Sequence, residues 1–245
     1  MSRRVTTDAA ASLAELVSRL AHEVRGPLST LRGLVGTALT HYEGLSDEER
    51  REFLGLMRDE AERVEATVEQ VVLALRLDAG VVRIDRRPHD LADVVRSAAE
   101  AEEVADHPLE VDAGTGVVAS VDPIHLSRVV RELVRNAATF SPPDAPIVVR
   151  LGQAGDRAVI EVLDRGPGIP PERRDEAFER FTVWRPRGYE AASGPGLGLS
   201  IARSIVEEHG GSIAIEDAAG GGTMLAVRLP LEDPRGTPVD DAADL

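Results

Sequence analysis

The first third of the chain carries a helical pattern of apolar residues and almost no strand signal. Apolar or small residues recur at alternating steps of four and three, at Leu13, Val17, Leu20, Val24, Pro27, Leu31, Leu34 and Ala38. After a break at residues 43–46, where Ser46 is the expected N-cap, a second stripe follows at Leu54, Met57, Ala61, Val64, Val68, Val71 and Leu75. Because two helices with narrow seams cannot close a core alone, the pattern predicts a helical hairpin over residues 8–79 that pairs with a second copy as a four-helix bundle. Packing of the hairpin against the rest of the same chain is the alternative.

From residue 80 onward the apolar pattern changes to that of short strands. Strands are predicted at residues 81–85, 108–112, 117–122, 146–151, 158–164, 212–217 and 223–230. Helices are predicted at about 90–104, at 123–138 after the start signal Asp122-Pro123, and at 197–209. Residues 80–231 are therefore expected to form an α+β domain with a mostly antiparallel sheet. The tail at 232–245 is acidic and contains proline and glycine, which predicts disorder.

Composition removes several classes of function. All 28 basic residues are arginine, so a P-loop, the strand lysine of a eukaryotic-type protein kinase and Schiff-base catalysis are excluded. The absence of cysteine excludes thiol nucleophiles and cysteine zinc sites. A formal net charge of −15 argues against a nucleic-acid partner. The chain shows no signal peptide and no apolar run long enough to insert in a membrane, so we expect a cytoplasmic protein.

Glycine is concentrated in one part of the chain. Half of the 22 glycines lie between Gly166 and Gly222, in clusters at residues 164–170, 193–200 and 220–223. Glycine lets backbone N–H groups approach phosphate oxygens, and the second cluster runs into an apolar helix whose N-terminus favours an anion. Three such clusters in one small domain predict a phosphate-bearing ligand.

Three polar positions are further candidates for chemistry. Glu132 and Asn136 lie one turn apart on the predicted helix and could hold Mg²⁺, or they could form a solvated polar face. Asp164 ends an apolar strand and could accept the amine of adenine, or it could be an ordinary turn residue. His22 points away from the hairpin seam with Glu23 beside it, an arrangement that can leave one imidazole nitrogen free as a nucleophile.

Together these segments resemble the sensor histidine kinases of two-component systems. AHEVRGPLSTLRG at 21–33 resembles their H-box, RELVRNAATFSP at 131–142 the N-box and DRGPGIP at 164–170 the G1 box. FERF at 178–181 resembles the F-box, residues 194–211 the G2 box and GGGT at 220–223 the last glycine motif. Order and spacing agree over about residues 12–231. The resemblance implies a dimerisation and phosphotransfer hairpin followed by a Bergerat-type (GHKL) ATP-binding α+β sandwich.

The resemblance also implies roles for single residues. His22 would be the phospho-acceptor and Glu23 its general-base partner, in an enzyme that autophosphorylates from ATP and passes the phosphoryl group to an aspartate of a response regulator receiver domain. Asn136, with Glu132 beside it, would bind Mg²⁺, and Asp164 would read adenine with Thr223 supporting that end. The pocket and its lid, roughly 179–195, would be shaped by Gly166, Gly168, Gly194, Gly196, Leu197 and Gly198.

Two departures from the family pattern keep alternatives open. Thr139 stands where the N-box commonly has a basic residue, so a phosphate-contacting cation is missing and Arg128, Arg131 or Arg135 are the available substitutes. Pro195 stands where the G2 box often has a hydroxyl residue. A degenerate kinase that serves as a dimeric docking module is therefore the main alternative. An anti-sigma serine kinase or a chaperone-like ATPase is a second alternative.

Because only about 12 residues precede the hairpin, we expect the signal to come from a separate sensor partner, from the N-terminus or from a longer natural protein.

Overall fold

The computed structural model describes residues 21, 24–102, 104, 106–182, 184–189 and 195–231. The chain divides into two compact units. The first comprises Met1–Val81 with the short segments Glu179–Val183 and Ser193–Leu197, and the second comprises Val82–Phe178, Trp184–Ala192 and Gly198–Leu245. His22, Glu23, Gly194 and the predicted disordered tail at 232–245 lie outside the described residues. No helix among the described residues is long and apolar enough to cross a bilayer.

In the part of the first unit that the structure describes there are two α-helices, α1 over residues 24–41 and α2 over Asp47–Asp78. Along α1, positions 24, 27, 31, 34 and 38 are half-buried while the positions between them are exposed, which is the predicted seam. Ser46 caps α2 as predicted, because its hydroxyl accepts the Glu49 N–H at 3.2 Å while the Glu49 carboxylate accepts the Ser46 N–H at 2.7 Å. This reciprocal capping box satisfies two N–H groups that a helix start would otherwise leave unpaired.

The predicted apolar stripe of α2 divides into two faces. Met57, Val64 and Val71 are buried or half-buried, on the same side as Thr67 and Ala74. The other members of the predicted stripe, Leu54, Ala61, Val68 and Leu75, are exposed and repeat every seven residues. In the single chain, one line of the predicted stripe is therefore covered and the other line is exposed.

The second unit is built on a five-stranded sheet and a small two-stranded one. The large sheet has the order β2-β4-β5-β7-β6, and the small one pairs β1 with β3. The strands are β1 Arg87–Asp90, β2 Leu109–Ala113, β3 Val118–Val121, β4 Ile147–Ala154, β5 Arg157–Leu163, β6 Ser212–Asp217 and β7 Thr223–Pro230. The β2–β4 pair is parallel and the other pairs are antiparallel, so the prediction of a mostly antiparallel sheet is confirmed.

Three helices cover the sheet, α3 Leu91–Glu100, α4 Pro123–Phe140 and α5 Gly198–Glu208. Helix α4 packs against α3 and α5 and onto β4 and β5. Asp122 begins α4 by accepting the N–H groups of Ile124 and His125 at 3.0 and 3.2 Å, and Pro123 occupies the first turn, where its missing N–H costs nothing. The central helix therefore starts where the sequence predicts.

The first predicted strand was misplaced. Residues 81–86 have no regular secondary structure, and the strand is the next segment, Arg87–Asp90, paired antiparallel with Val118–Val121. The apolar run Val81-Val82 favoured the earlier segment, yet Val81 is 64% exposed. Strand formation here depends on the partner β3 rather than on the local apolar content.

A buried histidine ties α5 to the start of α4. The Nδ1–H of His209 donates to the Ile205 carbonyl at 2.7 Å, and its Nε2 accepts the backbone N–H of Asp122 at 3.0 Å. Nε2 can accept only when it is unprotonated, so the imidazole is neutral, and burial lowers the pKa of His209 accordingly. The bridge holds together the two helices that carry the candidate site residues.

Candidate functional site

Asp164 forms one end of the candidate site, at the end of β5. Its carboxylate is buried, and Oδ1 accepts the N–H groups of Gly166 at 2.8 Å and Thr223 at 3.0 Å. Burial raises the pKa of Asp164, and the hydrogen bonds from Thr223 and Gly166 partly oppose that rise. The strand end, the turn that follows it and the start of β7 together fix this carboxylate, so it is positioned to accept a hydrogen bond from a ligand.

Two glycines allow the backbone to close tightly around Asp164. A Cβ on Gly222, whose φ is +101°, would lie 2.1 Å from the Asp164 carbonyl oxygen. A Cβ on Gly166 would lie 2.4 Å from the Phe140 carbonyl oxygen. No larger residue fits either position without moving the backbone. The turn after β5 therefore rests on the C-terminal end of α4.

Arg165 anchors the glycine loop at residues 218–222, a role that sequence reasoning missed. Its Nη1 donates to the Ala219 carbonyl at 2.8 Å and approaches the Gly221 carbonyl at 3.4 Å. The loop carries three consecutive glycines with positive φ, at 220, 221 and 222, which makes its backbone intrinsically mobile when unsupported. The side chain that follows Asp164 thus holds the loop that leads into Thr223. An arginine beside a glycine-rich segment was visible in the sequence, but its partner lies 54 residues away.

Glu132 lies on α4 about two helical turns before Phe140, and at this level of the helix it meets Gly198. Glu132 is buried, and its carboxylate makes a close ion pair with the Arg135 guanidinium. A Cβ on Gly198 would lie 2.6 Å from Glu132 Oε2, so this carboxylate stands against the first residue of α5. The backbone N–H groups in the first turn of a helix favour an anion. This end of the site therefore combines a carboxylate, a guanidinium and a helix start.

The remaining predicted residues of α4 lie between these two ends. Asn136 is half-buried, one turn after Glu132, and its amide oxygen is a suitable ligand for Mg²⁺. Thr139 is exposed, and its hydroxyl donates to the Arg135 carbonyl at 2.8 Å. Phe140 closes the face, with its ring centroid 6.0 Å from that of Tyr189.

The structure brings together one group of the predicted site residues. Glu132, Asn136, Asp164, Gly166, Gly168, Gly198 and Thr223 all belong to the second unit. Gly196 and Leu197 belong to the first unit, where Leu197 is buried and the Gly196 carbonyl accepts the Phe181 N–H at 2.8 Å. The predictions for His22, Glu23 and Gly194 fall outside the described residues.

Comparison with known proteins connects this geometry to a family. The family model described as histidine kinase-, DNA gyrase B- and HSP90-like ATPase matches residues 121–233, and the model described as His Kinase A (phospho-acceptor) domain matches residues 12–80. A solved structure of a mycobacterial sensor histidine kinase, MprB, is 34% identical, with a TM-score of 0.52 over 60% of this chain and 97% of that one. This chain belongs to the sensor histidine kinases.

Two further relatives of this histidine kinase are informative. The probable sensor histidine kinase TcrY of Mycobacterium tuberculosis is 34% identical over 221 residues, which are 89% of this chain. The match covers 46% of TcrY, so the chain spans about half the length of that relative. The structure of histidine kinase ThkA in complex with the response regulator protein TrrA is 22% identical, with a TM-score of 0.67 over 93% of this chain and 64% of that one. That likeness concerns the fold.

Proposed function

We propose that this histidine kinase phosphorylates its own His22 from ATP and transfers the phosphoryl group to an aspartate of a response regulator. The observation that carries the proposal is the buried Asp164 carboxylate, which is fixed by the Gly166 and Thr223 N–H groups at one end of α4 while Glu132, Arg135 and Gly198 meet toward the other. Phe140 and Glu132 are eight residues apart, so the two ends are separated by about 12 Å along the helix. An adenine at one end and phosphates at the other suit that spacing.

The nucleotide would be held by residues with distinct tasks. Asp164 would accept the exocyclic amine of adenine, and Thr223 and Gly166 would keep its carboxylate in place. The start of α5 at Gly198 would face the phosphates. The predicted roles of Gly168, Gly194, Gly196 and Leu197 in shaping the pocket and its lid stay predictions.

Mg²⁺ would be held by Asn136. Its amide oxygen fits a hydrated Mg²⁺, whereas the Glu132 carboxylate beside it is engaged by Arg135. When bound, the metal would neutralise charge on the phosphate oxygens during phosphoryl transfer. Asn136 is therefore the side chain whose loss should weaken the metal-dependent part of nucleotide binding.

In the phosphoryl transfer, one imidazole nitrogen of His22 would attack the γ-phosphorus of ATP. The bond from that phosphorus to the β,γ-bridging oxygen breaks and ADP leaves, while Glu23 accepts the proton from the other imidazole nitrogen. The phosphoryl group would then pass from the histidine to the carboxylate of the regulator's aspartate. The family membership of the chain and the description of ThkA with a response regulator support this partner.

The cytoplasmic location, the separate sensor partner and the domain limits 8–79, 80–231 and 232–245 stay predictions.

Replacing Asn136 by alanine should reduce autophosphorylation from Mg²⁺-ATP at least about tenfold, since one oxygen ligand of the metal is lost. Binding of ATP measured without divalent metal should change little, because Asn136 acts through the metal. Labelling from ATP and calorimetry with and without Mg²⁺ measure the two quantities. Equal weakening under both conditions would show that Asn136 contacts the nucleotide directly.

The exposed face of α2 supports a homodimer. Leu54, Val68 and Leu75 are 64%, 42% and 37% exposed, and with Ala61 they form a line at seven-residue spacing. On α1, Leu28 and Val35 are also exposed and seven residues apart. Exposed apolar lines at this period are typical of helices that pack against other helices. A second copy of the hairpin would cover these lines as a four-helix bundle.

Changing Val68 and Leu75 together to glutamate should convert a dimer to a monomer, because four like charges would be buried at the interface of the bundle. The matched control is Ala66→Glu, which adds a charge at another exposed position of the same helix. Light scattering coupled to size exclusion measures the mass. A monomeric wild-type protein, or an unchanged dimer in the double variant, would refute this interface.

A further inference from the structure

We propose that Arg135 is the phosphate-contacting cation of this kinase and that Glu132 is the positioning residue that aims it. The inference rests on the proposed ATP-dependent function and goes beyond it, because the expected basic residue of the N-box is replaced by Thr139. Arginine at 135 would supply, from one turn earlier on the same helix, the positive charge that position 139 does not carry.

The contacts of Arg135 place its guanidinium at the phosphate end of α4. Nη2 of Arg135 makes the close ion pair with Glu132 Oε2, and the same oxygen stands 2.6 Å from where Gly198 would carry a Cβ. The guanidinium is thereby held beside the first turn of α5. Helix N-termini and arginine forks both favour phosphate, so two attractive features converge on one place.

The exposure of the two side chains differs in the way this role requires. The Glu132 side chain is 6% exposed, whereas that of Arg135 is 45% exposed. A guanidinium carries five N–H donors in a rigid fork, so one edge can stay on the buried carboxylate while another faces a ligand. Glu132 thus acts as a fixed support, and the accessible part of Arg135 remains available to phosphate oxygens.

The ion pair between Glu132 and Arg135 also changes the charge that a bound triphosphate would meet. The buried carboxylate of Glu132 would repel a triphosphate across a short distance in a medium of low polarity. The Arg135 guanidinium cancels that charge. Loss of Arg135 therefore removes an attraction and exposes a repulsion, and these two effects need to be separated experimentally.

The position of Arg135 on the helix agrees with the assignment. Residues 135 and 139 are four apart and share one face of α4, and the Thr139 hydroxyl donates to the Arg135 carbonyl at 2.8 Å. Arg131 shares that face but lies one turn further from Thr139. Its exposed side chain provides a matched charge change on the same helix.

The test measures the dissociation constants of ATP and adenosine by calorimetry for wild type, Arg135→Gln, Arg135→Lys and the control Arg131→Gln. We expect Arg135→Gln to weaken ATP binding roughly 10- to 100-fold, the loss typical of a hydrogen bond to a charged group, and to change adenosine binding less than about twofold. Arg135→Lys should recover part of the ATP affinity. Arg131→Gln should resemble wild type.

The double variant Glu132→Gln/Arg135→Gln separates contact from charge cancellation. If Arg135 contacts the phosphates, the double variant still binds ATP more weakly than Glu132→Gln alone. Equal ATP affinity of these two variants would overturn the contact. The contact would also be overturned if Arg135→Gln weakened ATP binding no more than Arg131→Gln does. A third contradicting result would be an equal loss of affinity for ATP and for adenosine in Arg135→Gln. Failure of the wild-type protein to bind ATP would instead overturn the proposed function, and this inference with it. Because the double variant also removes the buried negative charge of Glu132, it remains informative if Arg135→Gln alone does not fold.

Discussion

Replacing His22 by glutamine is expected to reduce the incorporation of label from γ-labelled ATP to background. Glutamine has a similar reach to histidine, but its amide nitrogen is not a nucleophile, so the phosphorus–nitrogen bond cannot form. In the wild-type protein the label should be lost in acid and retained in base, as is usual for a phosphoramidate. Denaturing gel electrophoresis after both treatments measures the outcome.

The matched control for this experiment is His41→Gln, because His41 is an exposed histidine on α1. Labelling of this variant should equal that of wild type. Nucleotide affinity should stay within about twofold in both variants, since neither histidine belongs to the nucleotide site. Persistent labelling of His22→Gln would refute the assignment of the phospho-acceptor. ATP binding by a wild-type protein that incorporates no label would favour the degenerate docking module.

Replacing Asp164 by asparagine is expected to weaken ATP binding roughly 10- to 100-fold. Asparagine is nearly the same size, and its Oδ1 can still accept the N–H groups of Gly166 and Thr223 that bind the native oxygen at 2.8 and 3.0 Å. Its amide nitrogen, however, is a donor and would face the amine of adenine, which is also a donor. Unlike the Arg135 change, this substitution should weaken adenosine as strongly as ATP.

The stability of Asp164→Asn should depend on pH differently from that of the wild-type protein. Burial raises the pKa of Asp164 above its ordinary value, so the folded state holds this proton more tightly than the unfolded state does. The contribution of Asp164 to stability therefore declines as pH rises from the unfolded pKa of about 3.9 through the higher folded pKa. Asparagine does not titrate, so relative to wild type Asp164→Asn should gain stability as pH increases across that window.

Urea unfolding at several pH values, with calorimetry for ATP and adenosine, measures both effects of Asp164→Asn. The control is Asp156→Asn, because the side chain of Asp156 is 91% exposed in the turn between β4 and β5. It should change neither nucleotide affinity nor the pH dependence of stability. Retention of full ATP affinity by Asp164→Asn would remove adenine recognition from this residue.

The elements that could be predicted correctly are those specified by neighbouring residues. Ser46 and Glu49 cap α2, and Asp122 with Pro123 begins α4, through contacts between residues at most three apart. Strands β6 and β7 have their predicted limits of 212–217 and 223–230, since alternating apolar positions match a half-buried pleat. The glycine clusters also indicated a phosphate ligand, because their conformational freedom belongs to the residue type.

Features made by residues far apart along the chain could not be predicted in this way. The division of the α2 stripe into a covered and an exposed face depends on which helix packs beside it, and the position of β1 depends on its partner strand. His209 bonds the Asp122 N–H across 87 residues, and Arg165 reaches Ala219 across 54. Periodicity and capping report the environment within one or two turns. The partner of a buried charge or a bulky side chain is selected by packing, which brings distant segments together and leaves no local pattern in the sequence.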